Sequence, residues 1–188
     1  MRNQTILTHL LASVIATSWL TACGGSQKSD QQAQGDQSGA PASVAEQADY
    51  YMGMAGMALS DGNDEEALAN YLAAAKIYDQ SGAVVVERAE AHFLAAGIAY
   101  RLTERLQALE EYEKAVDIYT RFSGNSQIKA ANALNNMGTI YKELLKKSRA
   151  IDCWTRALEI YQAAPKELQN EANMQKIQQN IRDLEQGF

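Results

Sequence analysis

The sequence predicts an all-α protein, an alpha-alpha superhelix of three stacked helix pairs with a C-terminal capping helix. A motif of 12 residues recurs from Ala67, Ala108 and Ala150, so its spacings are 41 and 42 residues. The chain has only 2 prolines in 188 residues and is 46% hydrophobic. It is rich in Ala, Leu, Glu, Lys and Gln, which favour helix. A fixed period of this length is typical of a stacked helical array.

The repeated motif indicates how the helices stack. Its three copies read ALANYLAAAKIY, ALEEYEKAVDIY and AIDCWTRALEIY. Each copy has two alanines seven residues apart, which is close to two helical turns, so both lie on one face. One turn after the first alanine comes an aromatic residue, Tyr71, Tyr112 or Trp154. We expect the alanines to let a neighbouring helix approach closely and the aromatic ring to fill the space beside that contact.

A partner helix precedes each copy of the motif, and its apolar residues should share one side at 100° per residue. These residues are Tyr51, Met54, Ala55 and Ala58 in the first, His92, Ala95, Ala96 and Ala99 in the second, and Leu134, Met137, Gly138 and Tyr141 in the third. After Pro165, a stripe predicts a capping helix from about residue 166, which a solenoid needs to cover its last pair. The stripe consists of Met174, Ile177, Ile181 and Leu184.

Two helix starts can be predicted from side-chain caps. Ser43 and Glu46 have the spacing of a capping box, so the first helix should start at Val44. Asn63 and Glu66 give the same signal for the second helix. The folded domain is therefore expected to comprise residues 44–188.

These residues resemble the signature of the tetratricopeptide repeat, in which a large residue, Leu-Gly, Tyr, Ala, an aromatic residue and Ala stand at fixed offsets. The first two pairs match less well, since Ala58 and Ala99 stand where the family has tyrosine, and the usual closing proline is missing. The period is about eight residues longer than the common 34, and looks most like the long repeats of kinesin light chain and related bacterial arrays. The resemblance covers about residues 48–162. The third pair matches through Leu134, Met137, Gly138, Tyr141, Ala150, Trp154 and Ala157.

Residues 1–22 are predicted to be a lipoprotein signal peptide. Arg2 precedes ILTHLLASVIATSWL, a mostly apolar run of 15 residues that is short for a membrane span but suits a signal peptide. The following LTAC resembles the lipobox of bacterial lipoproteins. That resemblance implies that Cys23 is lipidated, for example with palmitate, and becomes the acylated mature N-terminus. The alternative is an ordinary secretory signal with an incidental cysteine.

Residues 23–43 are predicted to be the lipidated cysteine and a disordered tether. Residues 24–43 include no Leu, Ile, Val, Met or aromatic residue, so they cannot bury enough surface to offset their ordering entropy. Gly24 stands where Asp would resemble an inner-membrane retention signal. The expected location is therefore the bacterial outer membrane, facing the periplasm, whereas a Gram-positive source would place the protein on the outer face of the cell membrane.

Little in the sequence points to catalysis. Beyond residue 23 the chain has one histidine, His92, and one cysteine, Cys153. These are too few for a nucleophilic or metal site, and we expect both to be packing residues. Glu110, Glu111 and Glu113 point in different directions on a helix and are expected to be solvated. A net charge of −6 without a basic stripe argues against nucleic acid. We expect no enzymatic activity, no metal, no small-molecule substrate and no cofactor beyond the covalent lipid.

A protein partner is expected in the concave groove, which the first helix of each pair should line. The predicted groove residues are Asp49, Met52, Gly56 and Leu59 in the first repeat, Glu90, Phe93, Gly97, Tyr100 and Arg101 in the second, and Asn132, Asn135, Thr139 and Lys142 in the third. Gly56 and Gly97 share one repeat position and each costs about 1 kcal/mol of helix stability. Something should therefore approach closely there, either a bound peptide or another helix of the protein.

An asparagine pair extends this groove prediction. Asn135 and Asn136 resemble the pair with which related long repeats hold a peptide backbone, because an amide can both donate and accept. Ordinary polar surface is the alternative for these two residues.

Anchor, tether and scaffold together predict an outer-membrane-anchored periplasmic adaptor that binds a protein partner and assists assembly of an envelope complex. Lipoproteins that pilot pilus secretins or dock cell-wall hydrolases are the analogues. One alternative is a purely structural subunit held by its convex face or edges. A less favoured alternative is a peptidoglycan-active enzyme, which needs two carboxylates converging across a cleft.

Overall fold

The computed structural model describes residues 43–187, in which every regular element is helical. The α-helices are α1 (Val44–Ser60), α2 (Asp64–Ser81), α3 (Val86–Arg101), α4 (Arg105–Tyr119), α5 (Asn125–Glu143), α6 (Lys147–Ala163) and α7 (Glu171–Gln186). The all-α prediction is confirmed for this part of the chain. The predicted signal peptide, Cys23 and nearly all of the predicted tether lie outside the described residues.

Each helix packs mainly on its neighbours in the chain. α1 pairs with α2, α3 with α4 and α5 with α6, while α2–α3 and α4–α5 contacts join successive pairs and α7 packs on α6. Contacts between sequence neighbours alone define a solenoid. The structure is thus the predicted stack of three pairs with a C-terminal cap, and Ala40–Phe188 forms a compact unit of its own.

The repeated motif packs as its pattern predicts. The aromatic residues Tyr71, Tyr112 and Trp154 are all buried. The two alanines of every copy are fully buried as well, namely Ala67, Ala74, Ala108, Ala115, Ala150 and Ala157. A buried Ala is a point where a neighbouring backbone can come close, so the motif recurs because each copy supplies the contact surface for the next helix.

The predicted capping box at Ser43 is confirmed, and Asn63 caps α2 without the reciprocal backbone bond of a capping box. The hydroxyl of Ser43 accepts from the Glu46 amide at 3.2 Å, and the Ser43 amide donates to the Glu46 carboxylate at 2.7 Å. At the start of α2, Asn63 accepts from the Glu66 amide at 3.2 Å. The turn before it uses Gly62, whose φ of +74° lies in the left-handed region that favours glycine.

The capping helix begins later than the sequence predicts. Residues Lys166–Leu168 form a short 3-10 turn, and α7 starts only at Glu171. The reason is local, because Asn170 provides the cap by accepting from the Asn173 amide at 3.0 Å. The apolar stripe itself packs on the core as expected, with Ile177 fully buried.

No helix among residues 43–187 combines the length and hydropathy that a membrane crossing requires.

Candidate interaction surface

The predicted groove residues all lie on α1, α3 and α5, and none of them is fully buried. Gly56, Arg101 and Lys142 are exposed. The half-buried members are Met52, Phe93, Gly97, Tyr100, Asn132, Asn135, Asn136 and Thr139. The first helix of each pair therefore presents these side chains at a surface, as expected. Their individual contacts show which of them remain available to a partner.

A tyrosine ladder links the two helices of every pair. The hydroxyl of Tyr119 donates to the Glu90 carboxylate at 2.5 Å, and Tyr161 donates to the side-chain oxygen of Asn132. In the first pair the corresponding residues are Tyr78 and Asp49, whose carboxylate contributes to raising the pKa of Tyr78. In each pair the polar residue lies 29 residues before its tyrosine, so the same pairing recurs along the chain. Burial, together with the neighbouring carboxylate, raises the pKa of both Tyr78 and Tyr119.

This ladder involves three of the predicted groove positions. Glu90 and Asn132 accept from the closing tyrosines, and Asp49 occupies the equivalent position in the first pair, so part of the hydrogen-bonding capacity of Glu90 and Asn132 is used within the chain. Glu90 also accepts from Lys129 at 2.5 Å. The sequence analysis treats the Ile-Tyr ending as apolar surface only, although the constant 29-residue offset to a polar residue is a usable signal.

The two asparagines have different roles. The side-chain amide of Asn136 donates to the hydroxyl of Tyr112 at 2.9 Å, so it ties α5 to α4. In Asn135 the backbone oxygen, and not the side chain, is bonded to Trp154: it accepts from Trp154 Nε1 at 3.1 Å. No residue between 43 and 187 hydrogen-bonds the side-chain amide of Asn135. The expectation that both amides serve a bound peptide stays a prediction, but Asn136 already uses one of its two N–H donors within the chain.

A polar cluster joins the C-terminal ends of α3 and α5. Tyr100 donates to one oxygen of Glu143 at 2.5 Å, and Arg105 donates to the other at 2.7 Å. The hydrogen bond from Tyr100 lowers the pKa of Glu143, and the same bond raises the pKa of Tyr100. Arg101 pairs with Asp64 instead. The Arg105 guanidinium also lies over the Tyr100 ring, 5.4 Å from its centroid, so the hydroxyl and one ring face of Tyr100 are already in contact within the chain.

The two groove glycines differ from a third glycine that packing requires. A Cβ built on Gly56 meets nothing within 4 Å, and one on Gly97 would lie 3.7 Å from the Tyr112 hydroxyl, an ordinary contact. At Gly138 the nearest atom is Trp154 Nε1 at 2.4 Å. No helix of the described chain approaches Gly56 closely, so internal packing does not explain that glycine.

A buried polar cluster around His92 was not foreseen. Its Nδ1 lies 2.6 Å from Glu111 Oε2 and its Nε2 lies 3.3 Å from Asp79. Lys114 donates to the second oxygen of Glu111 at 2.8 Å. Burial raises the pKa of Glu111, but hydrogen bonds from His92 and Lys114 outweigh it and leave that pKa below its ordinary value.

The cluster corrects two expectations. Glu111 is 5% exposed and belongs to the core, whereas the helical wheel suggests a solvated carboxylate. His92 is a packing residue, but it is fully buried and bridges α2, α3 and α4 through the carboxylates. Glu110 and Glu113 are exposed as expected.

Cys153 is a buried free thiol, as the sequence predicts. Burial raises its pKa to about 11, so it is poorly placed to act as a nucleophile. Among the described residues no group of three His, Cys, Asp or Glu side chains is arranged to hold a metal ion.

Comparison with known proteins agrees with this architecture. Residues 87–163 match the family model of the tetratricopeptide repeat. This segment carries tetratricopeptide repeats. The matched segment runs from α3 to α6, the second and third helix pairs, and the first pair repeats the same packing. The tetratricopeptide-repeat fold implies a role in protein–protein interaction.

Three solved structures share the fold. BtubC (BKLC) from P. vanneervenii has 21% identity and a TM-score of 0.67, with 77% of this chain and 57% of that chain covered. RapI in its apo form has 20% identity and a TM-score of 0.60, with coverage of 77% and 54%. The N-terminal domain of stress-induced protein-1 from C. elegans has 16% identity and a TM-score of 0.57, with coverage of 77% and 98%.

These identities establish the fold alone, and the tetratricopeptide repeats of this chain span only a little over half of BtubC and of RapI. No curated protein matches the chain in sequence.

Proposed function

We propose that this protein is a lipid-anchored scaffold of the bacterial cell envelope, which binds a protein partner along the exposed side of α1, α3 and α5. The binding site is inferred from the half-buried side-chain amide of Asn135, which has no hydrogen-bond partner among residues 43–187. This amide lies on the face that also presents Phe93 and the ring of Tyr100. An amide with a free donor and acceptor can hold an extended peptide backbone. Gly56, open above its Cα, leaves room for that backbone.

The anchor and the location are proposed from the first 23 residues. A signal-peptide core followed by LTAC supports lipidation of Cys23, and Gly24 supports the outer membrane as destination. A polar tether would then hold the repeats near the membrane on its periplasmic side. There they would recruit or help assemble an envelope complex, in the manner of a secretin pilot or a hydrolase adaptor.

The binding site can be tested by two neighbouring substitutions. Asn135→Ala removes the unpaired amide without removing any intrachain side-chain hydrogen bond, so it should weaken partner binding and leave the melting temperature unchanged. Asn136→Ala removes the bond to Tyr112 and should lower the melting temperature. A photo-crosslinking residue at Asn135 in living cells should capture one defined protein, whereas the same residue at exposed Glu159 on α6 should not. Capture only at Glu159 would refute binding at the α1, α3 and α5 face.

The anchor needs a separate test. Cells expressing the full chain should incorporate labelled palmitate, and the label should disappear in Cys23→Ser. Membrane fractions should contain the wild-type chain in the outer membrane, and the variant should be absent from that fraction. An unlabelled wild-type chain would contradict lipidation while leaving the binding-site test untouched.

A purely structural role is supported by one feature of the other face. Two adjoining clefts of about 310 and 330 Å³ open between α4 and α6, floored by Met137 and flanked by Glu113 and Arg156. A partner helix held there would leave the α1, α3 and α5 face empty. In that case Glu113→Arg would abolish capture of the partner, and Asn135→Ala would not change partner binding.

The enzyme alternative has little structural support. Glu113 and Asp152 line the same cleft, but both are exposed, and the Asp152 side chain is 66% exposed and lies near Arg156. A carboxylic acid that donates a proton in glycoside hydrolysis needs shielded surroundings that raise its pKa.

A further inference from the structure

We propose that the outer face of α1 is a self-association surface through which two copies of this chain pair antiparallel about Gly53. The α1 face comprises Glu46, Tyr50, Gly53, Met57 and Ser60, which are all exposed. Tyr50 and Met57 each keep 63% of their surface accessible, among the largest exposures of any large apolar side chain described. Gly53 lies between them at the centre of this face.

The repeat shows what normally covers this face. Shifted by one and two repeats, Tyr50 and Met57 correspond to positions that the preceding helix buries in the second and third pairs. Their relative exposures there are 0% for Ala91, 6% for Ile98, 0% for Ala133 and 1% for Ile140. Ala91, for example, packs with Ala74, Ala75 and Tyr78. α1 therefore retains an inter-repeat docking face, but no described helix lies against it.

The two ends of the stack are built differently. α7 closes the C-terminal end with a polar outer face of Gln175, Lys176, Gln179, Arg182 and Glu185, which are all exposed. Such a polar cap is what keeps a solenoid from stacking on another copy. The α1 end presents apolar side chains instead. With one end closed, pairing through the other gives a two-fold dimer and not a filament.

Among the described residues, no close contact explains Gly53. A Cβ built on it meets nothing within 4 Å, and glycine disfavours helix relative to alanine. A second helix crossing directly over Gly53 would give this glycine a role, because the missing side chain lets two backbones approach. The flanking residues then act as the apolar contacts of that crossing.

The spacing around Gly53 fits an antiparallel second copy. Tyr50 comes three residues before Gly53 and Met57 four residues after it. The antiparallel pair has a two-fold axis that is perpendicular to both helices and passes between them at Gly53. This axis leaves Tyr50 and Met57 on the same side of the crossing. Each Tyr50 therefore lies beside Met57 of the second copy. Methionine sulfur against an aromatic ring is a favourable contact, and it would form twice.

Charge selects the same orientation and argues against a parallel pair. The charged residues of α1 are Glu46 and Asp49, both in its first half. Antiparallel pairing sets Glu46 opposite Ser60 of the second copy and opposes the helix dipoles favourably. A parallel pair would place Glu46 against Glu46 and Asp49 near Asp49, which repel.

The dimer should be weak. A helix of 17 residues is about 25 Å long. Contact along one such helix buries less than the roughly 1,200 Å² that stable interfaces reach. We expect a dissociation constant of about 10 to 100 µM.

Sedimentation equilibrium of Ala40–Phe188, which contains the whole described core, tests the proposal. The apparent mass should rise toward that of a dimer between about 5 µM and 1 mM. Met57→Glu should raise the dissociation constant at least tenfold. Leu106→Glu on α4, where Leu106 is 76% exposed, is the matched control and should change nothing. A wild-type chain that stays monomeric throughout, or an equal effect of Leu106→Glu, overturns self-association.

Gly53→Ala separates this role from a structural one, because its two effects have opposite signs. Alanine should raise the melting temperature of the monomer and at the same time raise the dissociation constant of the dimer. A dissociation constant that is unchanged in Gly53→Ala contradicts a close crossing at this residue.

Cysteine crosslinking fixes the orientation. In a Cys153→Ala background, Gly53→Cys should give a disulfide-linked dimer on mild oxidation, since the two-fold axis brings this position to itself. Ser60→Cys should not, because its two copies would lie about 21 Å apart along the helix axis. Rapid crosslinking of Ser60→Cys would overturn the antiparallel arrangement. Failure of both variants would overturn self-association about Gly53 and leave the face to another protein or to residues 1–42 of this chain.

Discussion

A Cβ added at Gly138 would lie 2.4 Å from Nε1 of Trp154, so the indole ring of α6 rests directly on the backbone of α5. The same Nε1 donates to the backbone oxygen of Asn135 at 3.1 Å, and Trp154 is fully buried. The third helix pair is thus held by one ring that both fills space and satisfies a carbonyl. The equivalent residues, Ala55 and Ala96, face the smaller Tyr71 and Tyr112.

Gly138→Ala should destabilise the protein by about 2 to 4 kcal/mol, because the extra methyl group overpacks against a ring that has no room to move. Gly97→Ala is the matched control. There the nearest atom is 3.7 Å away, and helix propensity should give a gain of up to about 1 kcal/mol. Urea unfolding of both variants measures the difference. Equal stability of the two variants would contradict the tight Gly138–Trp154 contact.

The contribution of each tyrosine of the ladder to the free energy of unfolding should depend on the charge of its acceptor. Tyr119→Phe removes a hydrogen bond to the Glu90 carboxylate and should cost about 1.5 to 3 kcal/mol, whereas Tyr161→Phe loses a bond to the neutral amide of Asn132 and should cost about 0.5 to 1.5 kcal/mol. Chemical denaturation at neutral pH gives both values. A larger loss of stability in Tyr161→Phe would mean that the charge of the acceptor does not determine which of these hydrogen bonds is stronger.

Acidification should weaken the cluster around His92. The pKa of Glu111 is lowered in the folded chain. Its contribution is therefore fully present above the unfolded pKa of about 4.3 and is lost as the pH falls through the lower folded pKa. The free energy of unfolding should decline below about pH 4.5, and Glu111→Gln should flatten that decline while lowering stability at pH 7 by about 2 kcal/mol. The exposed Glu110→Gln should leave the pH profile unchanged.

Cys153 should be unreactive in the folded chain. With burial raising its pKa to about 11, less than about 0.1% of the thiol is ionised at pH 8. A thiol reagent added to Ala40–Phe188, which lacks Cys23, should react within minutes only after guanidinium is added. Fast labelling of the native chain would show that α6 opens readily from the stack.

Much of the fold could be predicted because its information is local and repeated. The two alanines and one aromatic of each motif copy define a face, and the same face recurs at each period, so errors at one copy are corrected by the others. The capping box at Ser43 and Glu46 could be predicted for the same reason, because all the atoms that form it lie within one helical turn. The start of α7 was misplaced because Pro165 marks only where a helix cannot continue, and Asn170, the actual cap, is one of several polar residues nearby.

The surface could be predicted only in outline. Helical periodicity places Asn135 and Phe93 on the groove side of their helices, and both are half-buried. It could not show that Asn136 is held by Tyr112, or that Glu90 and Asn132 accept from the closing tyrosines, because those bonds join different helices. Glu111 is the clearest case. One-helix reasoning makes it a solvated carboxylate, and only the neighbouring α3 brings His92 close enough to bury it.

The repeat, the helix pairs and the side of each helix that packs can all be read from the amino-acid order, because they follow from side-chain size and a period of 3.6 residues. Which polar groups are already paired inside the stack, and which still face outward, depends on how the helices pack against each other. A hydrogen bond across two helices depends on distances of a few tenths of an ångström, and these arise only when the helices have packed.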